Sequence, residues 1–254
     1  MKVLVIGDSC LDEYIYCKVD RFCPDAPVPI LNPELCISTL GMAGNVKDNL
    51  EALGVEVDFI SNINKIKKIR YVDKKTNHMF IRIDSGEGNT SPISKKRLNS
   101  IAWATYDAII ISDYCKGFIN ENTIQYISQQ HPLTFLDTKK TLENYVNNIT
   151  YIKINDVEYK YNSDTLAQDF WNEKMIITRG PNGAEYDGVI YPVDEVDVRD
   201  TSGAGDTFLA GLVYAYITEN NVKSAIKFAN ICATQVVQKK GTAKINKKEL
   251  NNEI

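Results

Sequence analysis

The chain predicts an α/β fold: a central, mainly parallel sheet flanked by helices, with a small antiparallel β lid. Three observations predict it. Short apolar runs, suited to strands covered on both faces, alternate with helical patterns along most of the length. Two stretches break that rhythm with alternating extended segments. At 254 residues, 44% of them hydrophobic and 24% charged, the chain is long enough for one large domain with a substantial core. No internal repeat, low-complexity segment or linker divides it, so residues 1–254 read as a single domain.

The elements follow in order. Val3 to Ile6 is a continuous apolar run, a buried strand. Glu13 to Leu40 carries Pro24, Pro27, Pro29 and Pro33 among extended segments. Lys68 to Asp84 alternates through Ile69, Tyr71, Ile81 and Ile83, with a turn at Lys74 to Asn77. These stretches, approximately 13–40 and 66–86, are the predicted lid. Ala43 to Leu53 has helical spacing and stops at Gly54, a C-cap signal. Val55 to Ile60 resumes as strand, and Tyr106 to Ser112, with its Ala-Ile-Ile-Ile run, is another. A helix over Asn122 to Gln130 precedes strands at Leu133 to Leu136, Tyr151 to Ile154, Met175 to Thr178 and Val189 to Val193. A strand-like segment, Tyr191 to Arg199, leads into the helices Gly205 to Glu219 and Val222 to Lys239. The polar tail from Lys244 is expected to fray.

Composition excludes several functions. The net charge of −4 argues against a nucleic-acid partner. No stretch is long and apolar enough to span a bilayer, so no membrane partner is expected, and the start reads as a buried strand and not as a signal peptide. Six cysteines without a Cys-x-x-Cys pair, and only two histidines, argue against zinc and for reduced thiols in a cytoplasm.

The most informative motif is DTSGAGDTF, Asp200 to Phe208. A turn of Gly203, Ala204 and Gly205 opening a helix leaves backbone N–H groups free to converge on an anion, and the helix dipole adds positive potential. Asp206 in the first turn would repel a resting phosphate. That points to a base that takes a proton from a hydroxyl as a phosphoryl group arrives. The same residues also read as an N-capped helix with an acidic first turn.

Other candidates are weaker alone. Asn155 and Glu158 follow a strand's carboxyl end, where α/β ligands bind. Glu158 can hold a water on Mg²⁺ and Asn155 a phosphate oxygen, or the two can form a capping box. Gly41 to Asn45 suits hydrogen bonding to a polyol, or is an ordinary strand-to-helix turn. Asp8 and Asp12 follow the first strand and can accept bonds from sugar hydroxyls. Asp113, Lys116, Gly117 and Lys139 follow strands and can touch phosphate or metal, although surface lysines are the default. Arg179, Gly180 and Gly183 can pass beside a nucleotide, or Pro181-Asn182-Gly183 is a hairpin turn. Neither G-x-G-x-x-G after the first strand nor a G-x-x-x-x-G-K-[ST] loop is present.

Taken together, DTSGAGDTF, Gly41 to Asn45 and the Asn155–Glu158 pair resemble the motifs of the ribokinase/PfkB-type carbohydrate kinases, in order and spacing over nearly the whole chain. RFCPDAPVP (Arg21 to Pro29), SDYCKG (Ser112 to Gly117), LDTK (Leu136 to Lys139) and ITRGPNG (Ile177 to Gly183) resemble segments of one branch, the kinases of the bacterial heptose pathway. The resemblance implies a ribokinase-like fold and ATP-dependent phosphorylation of D-glycero-D-manno-heptose 7-phosphate at its anomeric hydroxyl. It implies Asp206 as base, Gly203 to Gly205 as anion hole, and Asn155 and Glu158 serving ATP and Mg²⁺. It places Arg179, Gly180 and Gly183 on the nucleotide side, Asn230 and Gly241 near the adenine, and Asp8, Asp12, Gly41 and Asn45 on the sugar. Lys116 and Lys139 would be phosphate contacts, and the lid would pair in a homodimer. Three departures stand out: Met42 where the heptose kinases have glycine, a shorter chain between Ile60 and Lys68, and nothing resembling the nucleotidyltransferase often fused to them. The alternatives are a kinase for another sugar or nucleoside, or a non-catalytic sensor or scaffold.

Overall fold

The apolar run at the start becomes an inner strand of an eight-stranded sheet in the computed structural model, which describes residues 1–63, 65–166 and 171–250. In chain order the elements are β1 (Lys2–Gly7), β2 (Ser9–Lys18), β3 (Asn32–Met42), α1 (Ala43–Ala52), β4 (Glu56–Ser61), β5 (Ile66–Asp73), β6 (Met79–Ser85) and α2 (Lys95–Asn99). They continue with β7 (Ala108–Asp113), α3 (Glu121–Ser128), β8 (Thr134–Thr138), β9 (Tyr151–Asn155), α4 (Asp156–Tyr161) and β10 (Met175–Thr178). Last come β11 (Ala184–Tyr186), β12 (Val189–Tyr191), α5 (Ala204–Glu219), α6 (Val222–Val237) and α7 (Lys247–Leu250).

The large sheet has the order β12-β11-β10-β9-β8-β7-β1-β4 and is parallel from β10 to β4. Side chains alternate across it, as the strand period requires. Val3, Val5, Ile110 and Phe135 face one layer with α1, α5 and α6. Leu4, Ile6, Ile109, Ile111 and Leu136 face the other with α2 and α3. Burial on both faces is why these strands are apolar runs and not alternating ones. The loops at the carboxyl ends of β1, β7, β8, β9 and β10 therefore meet on one edge.

The lid is a four-stranded sheet, β3-β2-β5-β6. Its outer pairs, β2·β3 and β5·β6, are antiparallel, while the middle pair, β2·β5, is parallel. Three of its four roots in the body are short. Only Asp8 separates β1 from β2, β3 runs straight into α1, and β4 passes to β5 through residues 62–65 alone. At the second root Met42 has φ 58° and ψ −133°, a conformation that favours glycine. Burial of its side chain with Cys10 and Ile66 offsets that strain.

Two sequence expectations are corrected. Tyr191 to Arg199 is not a strand beyond Tyr191: β12 is the edge of the sheet, and the amides of Arg199 and Asp200 instead donate to Val237 O at the end of α6. The tail does not fray from Lys244. Ile245 and Leu250 bury against Leu53, Cys232 and Val236, docking α7, and residues 251–254 lie outside the described residues. The short α2 was not anticipated. Its N-cap Ser94, accepting from Arg97 N, was the available signal.

Candidate active site

The DTSGAGDTF motif opens α5. Gly203 is its N-cap with φ 81°, and no side chain caps the helix. A Cβ on Gly203 would lie 2.5 Å from Asn45 Nδ2, so glycine is required there for conformation and space. The first intrahelical bond runs from Thr207 N to Gly203 O, 2.9 Å, so the amides of Gly205 and Asp206 precede the ladder. The turn does start a helix with an N-cap and an acidic first turn, but the cap is Gly203 and no side chain supplies a cap bond.

Asp206 is buried, at 4% exposure. Tyr114 Oη donates to its Oδ1 at 2.6 Å and Asn45 Nδ2 to its Oδ2 at 3.2 Å. Burial pushes the carboxyl up to about 6, with Asp137 adding to the rise and the Tyr114 bond, Asn45 and Lys153 holding it back. A carboxylate with that affinity is still ionised at neutral pH and accepts a proton readily, which suits a general base. The Tyr114 phenol is held well above its usual range, by burial first and then by Asp206.

Beside the turn lies a cavity of about 910 Å³ lined by Lys153, Asn155, Gly180, Gly183, Ala204, Gly205, Phe208 and Asn230, among others. Lys153 Nζ is 2.8 Å from Asp137 Oδ2, and both are buried. Burial works against the charge on Lys153, but Asp137 outweighs it and the ammonium is held above its usual range. A Cβ on Gly205 would sit 2.9 Å from that Nζ, so a fixed cation underlies the amide turn. Lys153 and Asp137 were missed in the sequence. The signal was a lysine inside one apolar strand and an acid inside the next, which the β8·β9 register sets side by side.

The structure brings the other candidates to different places. Asn155 and Glu158 do form a capping box at the start of α4. Glu158 Oε2 accepts Asn155 N at 2.8 Å, and its Oε1 accepts Lys139 Nζ at 2.7 Å. Asn155 also lines the cavity, so the structural role coexists with a place at the site. Gly180 and Gly183 line the cavity within the β10–β11 turn, so both readings of that loop coexist as well. Arg179 is spoken for: it pairs with Asp156 and Glu185 and stacks over Tyr159, clamping β10 to α4. Asn230 Nδ2 donates to Tyr191 O while lining the cavity. Gly241 donates its amide to Asp200 Oδ2 and lies against Tyr14 of the lid.

On the other side of Asp206 the lid closes in. Asp12 Oδ1 accepts from Arg70 Nη1 at 2.7 Å in a buried pair, and Arg70 stacks on Tyr14. A Cβ on Gly41 would lie 2.2 Å from Asp12 Oδ2, so this glycine makes room for the acid. Asp8 does not face the cleft. Its oxygens accept the amides of Tyr114, Lys116 and Phe118, and burial raises it above the usual carboxylate range. Lys116 Nζ pairs with Glu87 at 2.8 Å. Asp113 is likewise internal, holding Lys140 and Thr138. Among the described residues no cluster of three or more His, Cys, Asp or Glu could hold a metal ion, and no helix is long and apolar enough to cross a membrane.

Comparison with known proteins identifies the family and the fold. The pfkB family of carbohydrate kinases matches residues 36–249. The bifunctional protein HldE of Nitratiruptor sp. is 31% identical over 98% of this chain and 64% of its own length. The protein of the same name from Aliarcobacter butzleri is 30% identical over 95% and 62%. The chain thus spans less than two thirds of these relatives. The first alignment covers 296 positions against 254 residues here, so that relative carries segments this chain lacks. Among solved structures, ribokinase from Thermotoga maritima superposes with a TM-score of 0.69 at 17% identity, covering 99% of both chains. The nucleoside kinase of Methanocaldococcus jannaschii, an archaeal member of the ribokinase family, gives 0.67 at 17%, covering 98% and 97%. Those two likenesses establish a ribokinase-like fold. The match over residues 36–249 shows that this chain belongs to the pfkB family of carbohydrate kinases.

Proposed function

We propose that this chain transfers the γ-phosphoryl group of Mg²⁺-bound ATP to a hydroxyl of a sugar phosphate, the acceptor being D-glycero-D-manno-heptose 7-phosphate at its anomeric hydroxyl. The observation that carries the reading is Asp206, buried and ionisable near neutral pH, standing between the 910 Å³ cavity and the lid. The acceptor hydroxyl gives its proton to Asp206 as its oxygen bonds to the γ-phosphorus, and the bond from that phosphorus to ADP breaks. The amides of Gly205 and Asp206, with Ala204 and Gly203 shaping the turn and Lys153 beneath it, stabilise the charge in transit. Asn155, Gly180, Gly183 and Asn230 line the nucleotide's cavity. Among the described residues each Glu158 oxygen accepts one hydrogen bond and keeps lone-pair capacity, which fits a water on the Mg²⁺ that arrives with ATP. Arg179 and Gly241 act by holding loops.

Asp12, Gly41 and Asn45 serve the sugar, and Asp8 shapes the loop beneath it. A phosphorylated acceptor is supported by the lid's inner face, where Lys68, Arg70 and Arg82 share the side of Asp12, Tyr14 and Asp84, Arg70 being paired to Asp12 and Arg82 to Asp84. Lys116 and Lys139 flank it, each paired to a glutamate in this state. The heptose is supported by the segments that resemble the heptose-pathway kinases, Arg21 to Pro29, Ser112 to Gly117, Leu136 to Lys139 and Ile177 to Gly183. The lid's outer face, with Ile15, Ile69, Ile81 and Ile83, would be covered by the lid of a second copy. Cys10, Cys17, Cys23, Cys36 and Cys115 form no disulfide among the described residues, which suits a reducing cytoplasm.

ADP release assayed against heptose 7-phosphate, other sugar phosphates, free sugars and nucleosides tests the proposal. Turnover is expected to be highest with the heptose phosphate. Preference for an unphosphorylated acceptor would remove the substrate assignment, and no turnover with any would favour a sensor.

A further inference from the structure

Tyr114 has no part in the transfer step above, yet its hydroxyl makes the shorter of the two hydrogen bonds to the base. Three contacts fix its ring and backbone. Cys10, Met42 and Ile66 form an apolar cluster against it. Lys139 Nζ lies 4.8 Å from the ring centre. The Tyr114 amide donates to buried Asp8 at 2.9 Å. With Asn45 on the other oxygen, both sides of the Asp206 carboxylate hold a donor before any acceptor arrives.

We propose that Tyr114 is a positioning residue that occupies the base until a sugar hydroxyl replaces its phenol, directing the phosphoryl group to the sugar and away from water. The inference rests on the kinase reading. Water in the acceptor's place would give its proton to Asp206, bond to the γ-phosphorus and release ADP and inorganic phosphate. The phenol stands where that water would donate. The polar and titratable groups facing Asp206 are Asn45 from α1, Tyr114 from the loop after β7, Asp137 from β8, Lys153 from β9 and Cys10 from β2. Of these, Tyr114 and Asn45 hydrogen-bond to it, and Tyr114 alone sits on a loop between elements.

Tyr114→Phe removes one oxygen and keeps the ring, with the melting temperature as a check on folding. Mg²⁺-ATP hydrolysis without sugar is expected to rise about tenfold, the scale of one hydrogen bond to a charged group. Loss of a donor to the carboxylate also moves the acid limb of the activity profile to higher pH. A second measurement needs no turnover: infrared titration of the Asp206 carboxylate, identified by difference against Asp206→Asn. The Phe variant should titrate at higher pH than wild type. Titration at the same pH in both overturns the proposal, as does sugar-free hydrolysis that stays at the wild-type level in an active enzyme. Should wild type phosphorylate no sugar, the kinase reading falls while the titration still judges Tyr114.

Discussion

The proposed nucleotide side and the proposed acceptor side of the cleft are built by opposite means. The nucleotide side is a roomy cavity shaped by glycine turns and main-chain amides, with one fixed ammonium, Lys153, beneath it. The acceptor side is closed and assembled from pairs far apart in the chain, such as Asp12 with Arg70 and Tyr114 with Asp206. The nucleotide is common to many kinases and can be gripped by backbone, which every sequence has. The acceptor must be told from its competitors, and that requires side chains whose placement depends on the whole fold.

Asp206 stands where the two sides meet, so its loss should have the largest effect. Asp206→Asn is expected to lower turnover by about 10²–10⁴-fold, the usual worth of a general base, while ATP binding measured by calorimetry is retained. A matching loss of ATP binding would place Asp206 on the nucleotide side alone. Stability should move the other way. Because burial lifts the carboxyl from 3.8 to about 6, the folded protein keeps a proton in that window that the unfolded chain has released. The group's contribution therefore declines as pH rises from 3.8 to about 6, and the ionised form costs stability above it. At pH 7 the Asn variant should resist urea better than wild type, by about 1–3 kcal/mol.

Gly41→Ala sharpens the contrast. The new Cβ meets Asp12 Oδ2 and disturbs the Asp12–Arg70 pair without touching the cavity. The acceptor KM should rise about tenfold, as for a lost hydrogen bond to a charged group, with the ATP KM unchanged. Equal rises in both would dissolve the division between the two sides. The smallest effect is expected on the lid's outer face. Ile83→Lys should shift a dimer toward monomer in sedimentation and raise the acceptor KM by about two- to threefold, leaving ATP affinity alone. Unchanged sedimentation would show that the outer face is not covered by a second copy.

The same contrast governs what the sequence could disclose. The buried strands β1, β7 and β9 and the helices α1, α5 and α6 are legible because their patterns are local. So is the amide turn at Gly203 to Asp206, which is one contiguous motif. Asn155 and Glu158 were legible as a pair, and the structure gives them a capping box at the cavity's edge. The Lys153–Asp137 pair and the Tyr114 bond were not, because they exist only after β7, β8 and β9 align their ends. Tyr191 to Arg199 misled because an alternating pattern cannot reveal that the sheet offers no further neighbour.

Asp8 gives the molecule a gear. It is the single residue between the body's β1 and the lid's β2, and its carboxylate grips three amides of the loop that carries Tyr114. A tilt of the lid about this residue would be passed to that loop and to the phenol it carries. On the proposed reading, sugar entry beneath the lid and release of the Asp206 carboxylate would be joined in one stroke, without a messenger helix or a second ligand.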